Sequence, residues 1–184
     1  MTPFFRLHSG GVVRNGHGVL FVGPSGAGKT TLVVRLVSEG FALLSDDEVW
    51  IDPASRHLHP SPRRCLLKDS SRDLFPAHRH KLRQGDDQGG FWWLDPEDIR
   101  PNCRAAPSPV WGMVCLGPRR TRPVLEPIGQ TAALTTALGE SMNFPECRAD
   151  GLSLLVELVK SARLFRLHTG DLDECARLLT AALP

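Results

Sequence analysis

Gly23-Pro24-Ser25-Gly26-Ala27-Gly28-Lys29-Thr30 sets glycines, a lysine and a hydroxyl at the spacing G-x-x-x-x-G-K-[ST], and that spacing has a chemical use. Glycines let the backbone curl until successive N–H groups point inward at an anion. A helix starting at the lysine adds the positive end of its dipole. Lys29 would then reach the β- and γ-phosphates of a nucleotide, and the Thr30 hydroxyl would be placed to ligate magnesium. The alternative is a glycine-rich turn with no ligand. Seventeen residues beyond Lys29 comes Asp46, within Ser45-Asp46-Asp47-Glu48. Two adjacent carboxylates beside a phosphate site can divide the labour, one holding magnesium and one accepting a proton from an attacking hydroxyl. They can equally be a polar turn between strands.

For these groups to meet, the elements around them must converge. The apolar run Val19-Leu20-Phe21-Val22 predicts a buried strand entering the glycine loop. A helix is expected over 29–39, with Leu32, Val33, Leu36 and Val37 inward and Gly40 as its stop. The next strand, 41–44, ends at the acids. In a parallel pair of strands its C-terminal end lies beside the loop, where ligand crevices form in α/β folds. Upstream, 4–8 and Val12-Val13 read as strands with Asn15-Gly16 as a hairpin turn. Downstream, 48–51 and 56–59 form a hairpin. Residues 60–109 carry no clear period. Strands are expected at 110–116 and 123–128, paired across the turn between them, and at 164–168. Helices are expected at 131–142, 150–162 and 172–183, the last with Asp171 and Glu174 as a capping box.

With these motifs in order, the first 52 residues resemble the catalytic domain of HPr kinase/phosphorylase and its shorter serine-kinase relatives. The resemblance rests on Leu7-His8, the run 16–20, the loop 23–30, Gly40, and Ser45-Asp46-Asp47-Glu48-Val49. It implies an α/β P-loop domain of the HPr kinase/PEP carboxykinase-like type, with a central mixed sheet and flanking helices, spanning 1–184 as one domain. It also implies an ATP-dependent kinase acting on a serine of a protein or peptide. Gly23, Pro24, Ser25, Gly26, Ala27, Gly28, Lys29, Thr30 and Thr31 would bind ATP. Mg2+ would sit on Thr30 and Asp47. Asp46 would take the seryl proton, and His8 and Lys29 would stand beside the reacting phosphate. A Glu-Ile-Arg-Gly segment is absent. A nucleotide-binding regulator without acceptor chemistry and a small-molecule kinase are the rival readings.

The chain has 184 residues, 41% hydrophobic and 23% charged, with a formal charge of +2. Disorder is excluded as a global description, and the charge balance points to neither nucleic acid nor a membrane surface. The N-terminus lacks the pattern of a secretory signal, which predicts a cytoplasmic protein; a homo-oligomer is compatible with the sequence. Between Arg56 and Arg83 eight Lys/Arg face only Asp69 and Asp73. That segment, with Arg119, Arg120 and Arg122, either flanks an acidic acceptor or is a solvated face. An acidic patch at Asp86-Asp87 and Asp95 to Asp98 surrounds Phe91-Trp92-Trp93-Leu94. Because neighbours on a strand point to opposite faces, at most one of Trp92 and Trp93 can stack on a base. Five cysteines without a C-x-x-C pair support neither a disulfide framework nor a zinc knuckle. The His57/His59 and His78/His80 pairs lack a third metal ligand at a recognisable spacing.

Overall fold

The computed structural model describes residues 4–61, 63–85 and 90–184; Asp86 and Asp87 of the acidic patch lie outside them. The chain begins with β1 (Phe5–Leu7), β2 (Ser9–Arg14) and β3 (His17–Val22), the last two joined by the Asn15-Gly16 turn. The helix α1 (Lys29–Ser38) leads to β4 (Ala42–Ser45), and β5 (Val49–Ile51) and β6 (His57–His59) form the expected hairpin.

The stretch without a period holds several small elements. They are β7 (Cys65–Lys68), α2 (Asp69–Arg72), a 3-10 turn (Pro76–Lys81), β8 (Arg83–Gln84), β9 (Phe91–Leu94) and α3 (Pro96–Ile99). Asp95 caps α3 through the Glu97 N–H at 3.1 Å, so the described half of the acidic patch is a helix start. Last come β10 (Ser108–Gly117), β11 (Val124–Pro127), α4 (Gln130–Gly139), α5 (Phe144–Ser161), β12 (Arg163–His168) and α6 (Leu172–Ala182). Asp171 accepts from the Glu174 N–H at 3.0 Å and fixes the start of α6.

Among the described residues, nine strands form one mixed sheet. Its centre is β10, which pairs in parallel with β3 on one side and β12 on the other. Two expected pairings are corrected. The strands β3 and β4 run the same way but are not neighbours, because β2 lies between them, antiparallel to both. Likewise β11 pairs with β12 rather than β10. The chain passes from β11 through α4 and α5 before β12 enters beside β10, and a parallel neighbour requires such a crossover. The strands β7, β9 and β8 make a separate three-stranded sheet.

Alternation along the central strands divides the core. Val19, Phe21, Val114 and Leu116 face α1 and α6, where they meet Leu32, Val33, Leu36, Val37 and Leu179. Leu20, Val22, Met113 and Cys115 face α4 and α5, where they meet Ala133, Ala137, Leu155 and Leu158. The result is an α/β fold with helices on both faces of the sheet. Each fully buried Leu, Val or Phe contributes about 1.5–3 kcal/mol of transfer free energy, which fixes α1 and hence the loop that precedes it. The five cysteines are free thiols. No helix among the described residues is long and apolar enough to cross a membrane.

Candidate active site

The strands β3 and β4 end at the same edge of the sheet, and the expected residues gather there. Gly26 and Gly28 have φ of 84° and 97°, a left-handed conformation that costs other residues about 1 kcal/mol or more. Gly28 is also the N-cap of α1 and offers no side chain to its free amides. Among the described residues, the N–H groups of Gly26, Gly28, Lys29 and Thr30 find no acceptor within the chain, whereas Ala27 N–H donates to Pro24 O at 3.1 Å. A ring of unpaired donors at a helix start attracts anions. The Lys29 ammonium is buried at the loop's mouth, donating to Gly23 O and, at 3.3 Å, to Pro24 O. Burial lowers its pKa, while Glu140 and Asp47 pull the other way.

The acids are set by Ser45. Its Oγ accepts from the N–H groups of Asp47 at 3.3 Å and Glu48 at 3.1 Å, which bends the chain at the end of β4. Asp46 turns inward, Asp47 turns outward and Glu48 turns to the back. The Glu48 carboxylate is buried and held by Arg6 and by the Trp50 indole at 2.9 Å, so it is structural. Asp46 is 4% exposed, and its Oδ2 accepts from Leu66 N–H at 3.0 Å. The Thr30 hydroxyl lies 3.5 Å from Asp46 O. Burial above all pushes the Asp46 carboxyl up to about 6, against the hydrogen bond from Leu66 that favours its charged form.

That shift carries a cost at neutral pH. An unfolded aspartate ionises near pH 4, and here the folded one ionises only near 6. The folded state therefore binds the extra proton between these values. Its contribution to stability is fully present below about pH 4 and is lost as pH rises through 6, to the extent of about 3 kcal/mol. Asp46→Asn keeps an oxygen for Leu66 N–H and carries no charge. In the presence of a chelator the variant is expected to be up to about 3 kcal/mol more stable than wild type at pH 7 in urea unfolding, the gap closing towards pH 4. Equal or lower stability at pH 7 would contradict a buried charge.

His8 stands at the open side of the acids. Its Nδ1 is 2.6 Å from Glu140 Oε2, and its Nε2 is 3.4 Å from Asp47 Oδ1. A carboxylate only accepts, so Nδ1–H donates to Glu140, and Nε2 faces the second carboxylate, Asp47, at the longer distance. The backbone supports the contact, with His8 N–H donating to Glu140 O at 2.8 Å. Glu140, at the C-terminal end of α4, carries no signal in the sequence that marks it as part of the site.

These groups line a cavity of about 380 Å³. Of the loop, Ser25, Gly26, Gly28, Lys29, Thr30 and Thr31 line it, with His8, Asp46 and Asp47. Gly23 is buried behind the loop, Ala27 packs on the core, and Pro24 is exposed outside the lining. The far wall comes from the small sheet, where Leu66 is opposite Trp93 and Lys68 opposite Phe91.

The basic segment divides. Arg63, Arg64 and Lys68 line the cavity, Arg63 at 3.6 Å from Asp47. Arg56, Arg79 and Lys81 pair with Glu157, Asp73 and Asp98 elsewhere. Arg119, Arg120 and Arg122 are exposed and outside the cavity lining. Among the described residues no group of three or more His, Cys, Asp or Glu is arranged to hold a metal ion.

No known family model matches the chain, and no curated protein is similar to it. Among solved structures it is similar to an Hpr(Ser) kinase/phosphatase from Coxiella burnetii, with 15% identity over 96% of this chain and 89% of that one, at a TM-score of 0.46. A likeness that distant assigns no activity.

Proposed function

We propose that the chain, acting as one unit over 1–184, is an ATP-dependent phosphotransferase that moves the γ-phosphoryl group to a hydroxyl, in particular a serine of a protein or peptide. One observation carries this reading: a buried carboxyl with its pKa near neutrality, Asp46, faces the same cavity as Lys29 and the unpaired amides of Gly26, Gly28, Lys29 and Thr30. Binding alone needs no such base. Phosphoryl transfer needs charge neutralisation, positioning and a proton acceptor, and little else from the protein.

The loop amides and Lys29 hold the phosphates. Asp46 takes the seryl proton as the serine oxygen bonds to the γ-phosphorus and the bridging oxygen leaves with ADP. A carboxyl that ionises near 6 is largely charged at pH 7, yet basic enough to share a proton in the transition state. Asp47 and the Thr30 hydroxyl would hold magnesium, and their chemistry fits: a small hard cation takes one or two protein oxygens and fills its shell with water and substrate phosphate. Magnesium, when bound, would screen the charge on the transferring group.

Glu140 acts through His8 as a positioning residue. Glu140→Ala is expected to lower kcat about 10-fold, less than the loss of a general base itself, with KM for ATP unchanged. Glu140→Gln, which can still accept from Nδ1–H, should recover most of the rate. A parallel rise in KM, or no rescue by Gln, would leave Glu140 a merely structural residue.

The reading is tested by incubating the protein with magnesium and γ-labelled ATP together with serine-bearing peptides and the proteins encoded beside it. Label on a serine is expected. Binding of ATP with no transfer to any hydroxyl would replace the kinase by a nucleotide-binding regulator.

A further inference from the structure

The cavity has two ends, and the proposed chemistry occupies one. Asp47, His8 and Arg63 are joined there by the contacts described above, and Asp46 lines the same cavity. At the other end the Thr31 hydroxyl meets Ser71 Oγ at 3.1 Å, and the strand β7 runs between the two ends. Its Leu66 N–H reaches Asp46. Two residues on, Lys68 Nζ lies 3.9 Å from the point where a side chain on Gly26 would begin. Among the described residues Lys68 has no carboxylate partner. A second ammonium therefore overhangs the loop from the wall opposite Lys29.

The wall itself carries two aromatic rings that packing does not explain. Phe91 is 41% and Trp93 37% exposed, both line the cavity, and neither belongs to a core cluster. Trp92 points the other way, its Nε1–H donating to Asp69 at 2.7 Å and its ring covered by the Arg72 guanidinium at 5.1 Å. Since side chains alternate along a strand, pinning Trp92 fixes Phe91 and Trp93 on the cavity face. Trp50 and Trp111 are stacked on Phe4 and Phe165; among the described residues Trp93 has no ring partner. Exposed aromatics lining a cavity mark a surface awaiting a flat apolar group.

We propose that Phe91 and Trp93 form a stacking platform for the nucleobase of the bound nucleoside triphosphate, and that Lys68 is a second cation on its phosphates. This rests on the phosphate-binding reading of residues 23–30. With the γ-phosphate end fixed by Asp46, the nucleoside end falls towards Thr31, Ser71 and the aromatic wall. Stacking recognises a π-face, which every base has, rather than a hydrogen-bonding edge. ATP and GTP are therefore expected to bind within a few-fold of one another.

The test is calorimetric titration of the full chain with two probes in magnesium buffer, ATP and inorganic tripolyphosphate. Trp93→Ala and Phe91→Ala should each weaken ATP about 5- to 100-fold, the range that base–aromatic stacking supplies, and leave tripolyphosphate within about two-fold. Trp93→Phe should keep most of the ATP affinity. Lys68→Ala should weaken both probes. Unchanged ATP affinity in Trp93→Ala and Phe91→Ala would overturn the platform and leave phosphate binding standing; a rise only in acceptor KM would give the wall to the acceptor and overturn it too. Equal loss of both probes in the aromatic variants would make their role structural. Lys68→Ala binding both probes like wild type would overturn the second cation. Binding of neither probe by wild type would remove the phosphate reading together with the inference.

Discussion

Asp46→Asn is expected to lower phosphoryl transfer by about 10²- to 10⁴-fold, the usual consequence of removing a general base, while changing the affinity for ATP and magnesium only a few-fold. The asparagine keeps the shape of the side chain and an oxygen for Leu66 N–H, now 3.0 Å from Asp46 Oδ2. It cannot accept the hydroxyl proton. The same substitution that removes activity should stabilise the chelated fold, which is the signature of a strained functional group rather than a structural one. Asp47→Asn should act differently. Asp47 is half exposed beside Arg63 and His8, and its loss should raise the magnesium needed for half-maximal rate. Transfer at the normal rate in Asp46→Asn would move the base to Asp47 or remove the need for one.

Lys29→Ala is expected to weaken binding of ATP about 10- to 150-fold, the worth of one well-placed hydrogen bond between charged groups. Lys29 is only 6% exposed, and its ammonium is held over the loop by two carbonyls. Its charge therefore acts at short range with little water between it and an incoming phosphate. Lys29→Met, which keeps the stem packed, separates charge from packing and should lose as much. An affinity unchanged in both variants would mean that phosphate does not sit at this loop.

How far the sequence carried this picture depended on how local each signal was. The loop, α1 and the turn at Asn15-Gly16 were legible because hydrophobic period, glycine and capping residues lie within a few positions of one another. The order of strands was not. Nothing in 9–14 says that this strand inserts between β3 and β4; it does so because the hairpin turn folds it back on β3, and Gly10 leaves room for Val33 of α1, whose Cγ2 lies 2.7 Å from where a Cβ would stand. The pairing expected between 110–116 and 123–128 failed for a similar reason, since β12 enters between them from 35 residues further on. The wall of the cavity was hidden because its strands are two to four residues long, too short for a period to declare itself. Glu140 was invisible because it meets His8 across 132 residues. Of that wall, the alternation of Trp92 and Trp93 was legible: one ring packs inward and the other faces the cavity.

The most direct test of the central claim, that residues 23–30 hold the phosphates of a nucleoside triphosphate at a catalytic crevice, is calorimetric titration of ATP with magnesium into wild type, Lys29→Ala and Asp46→Asn. Saturable binding to wild type and to Asp46→Asn, with binding to Lys29→Ala weaker by about 10- to 150-fold, is the predicted result; no binding to wild type, or equal binding to all three, would contradict the claim.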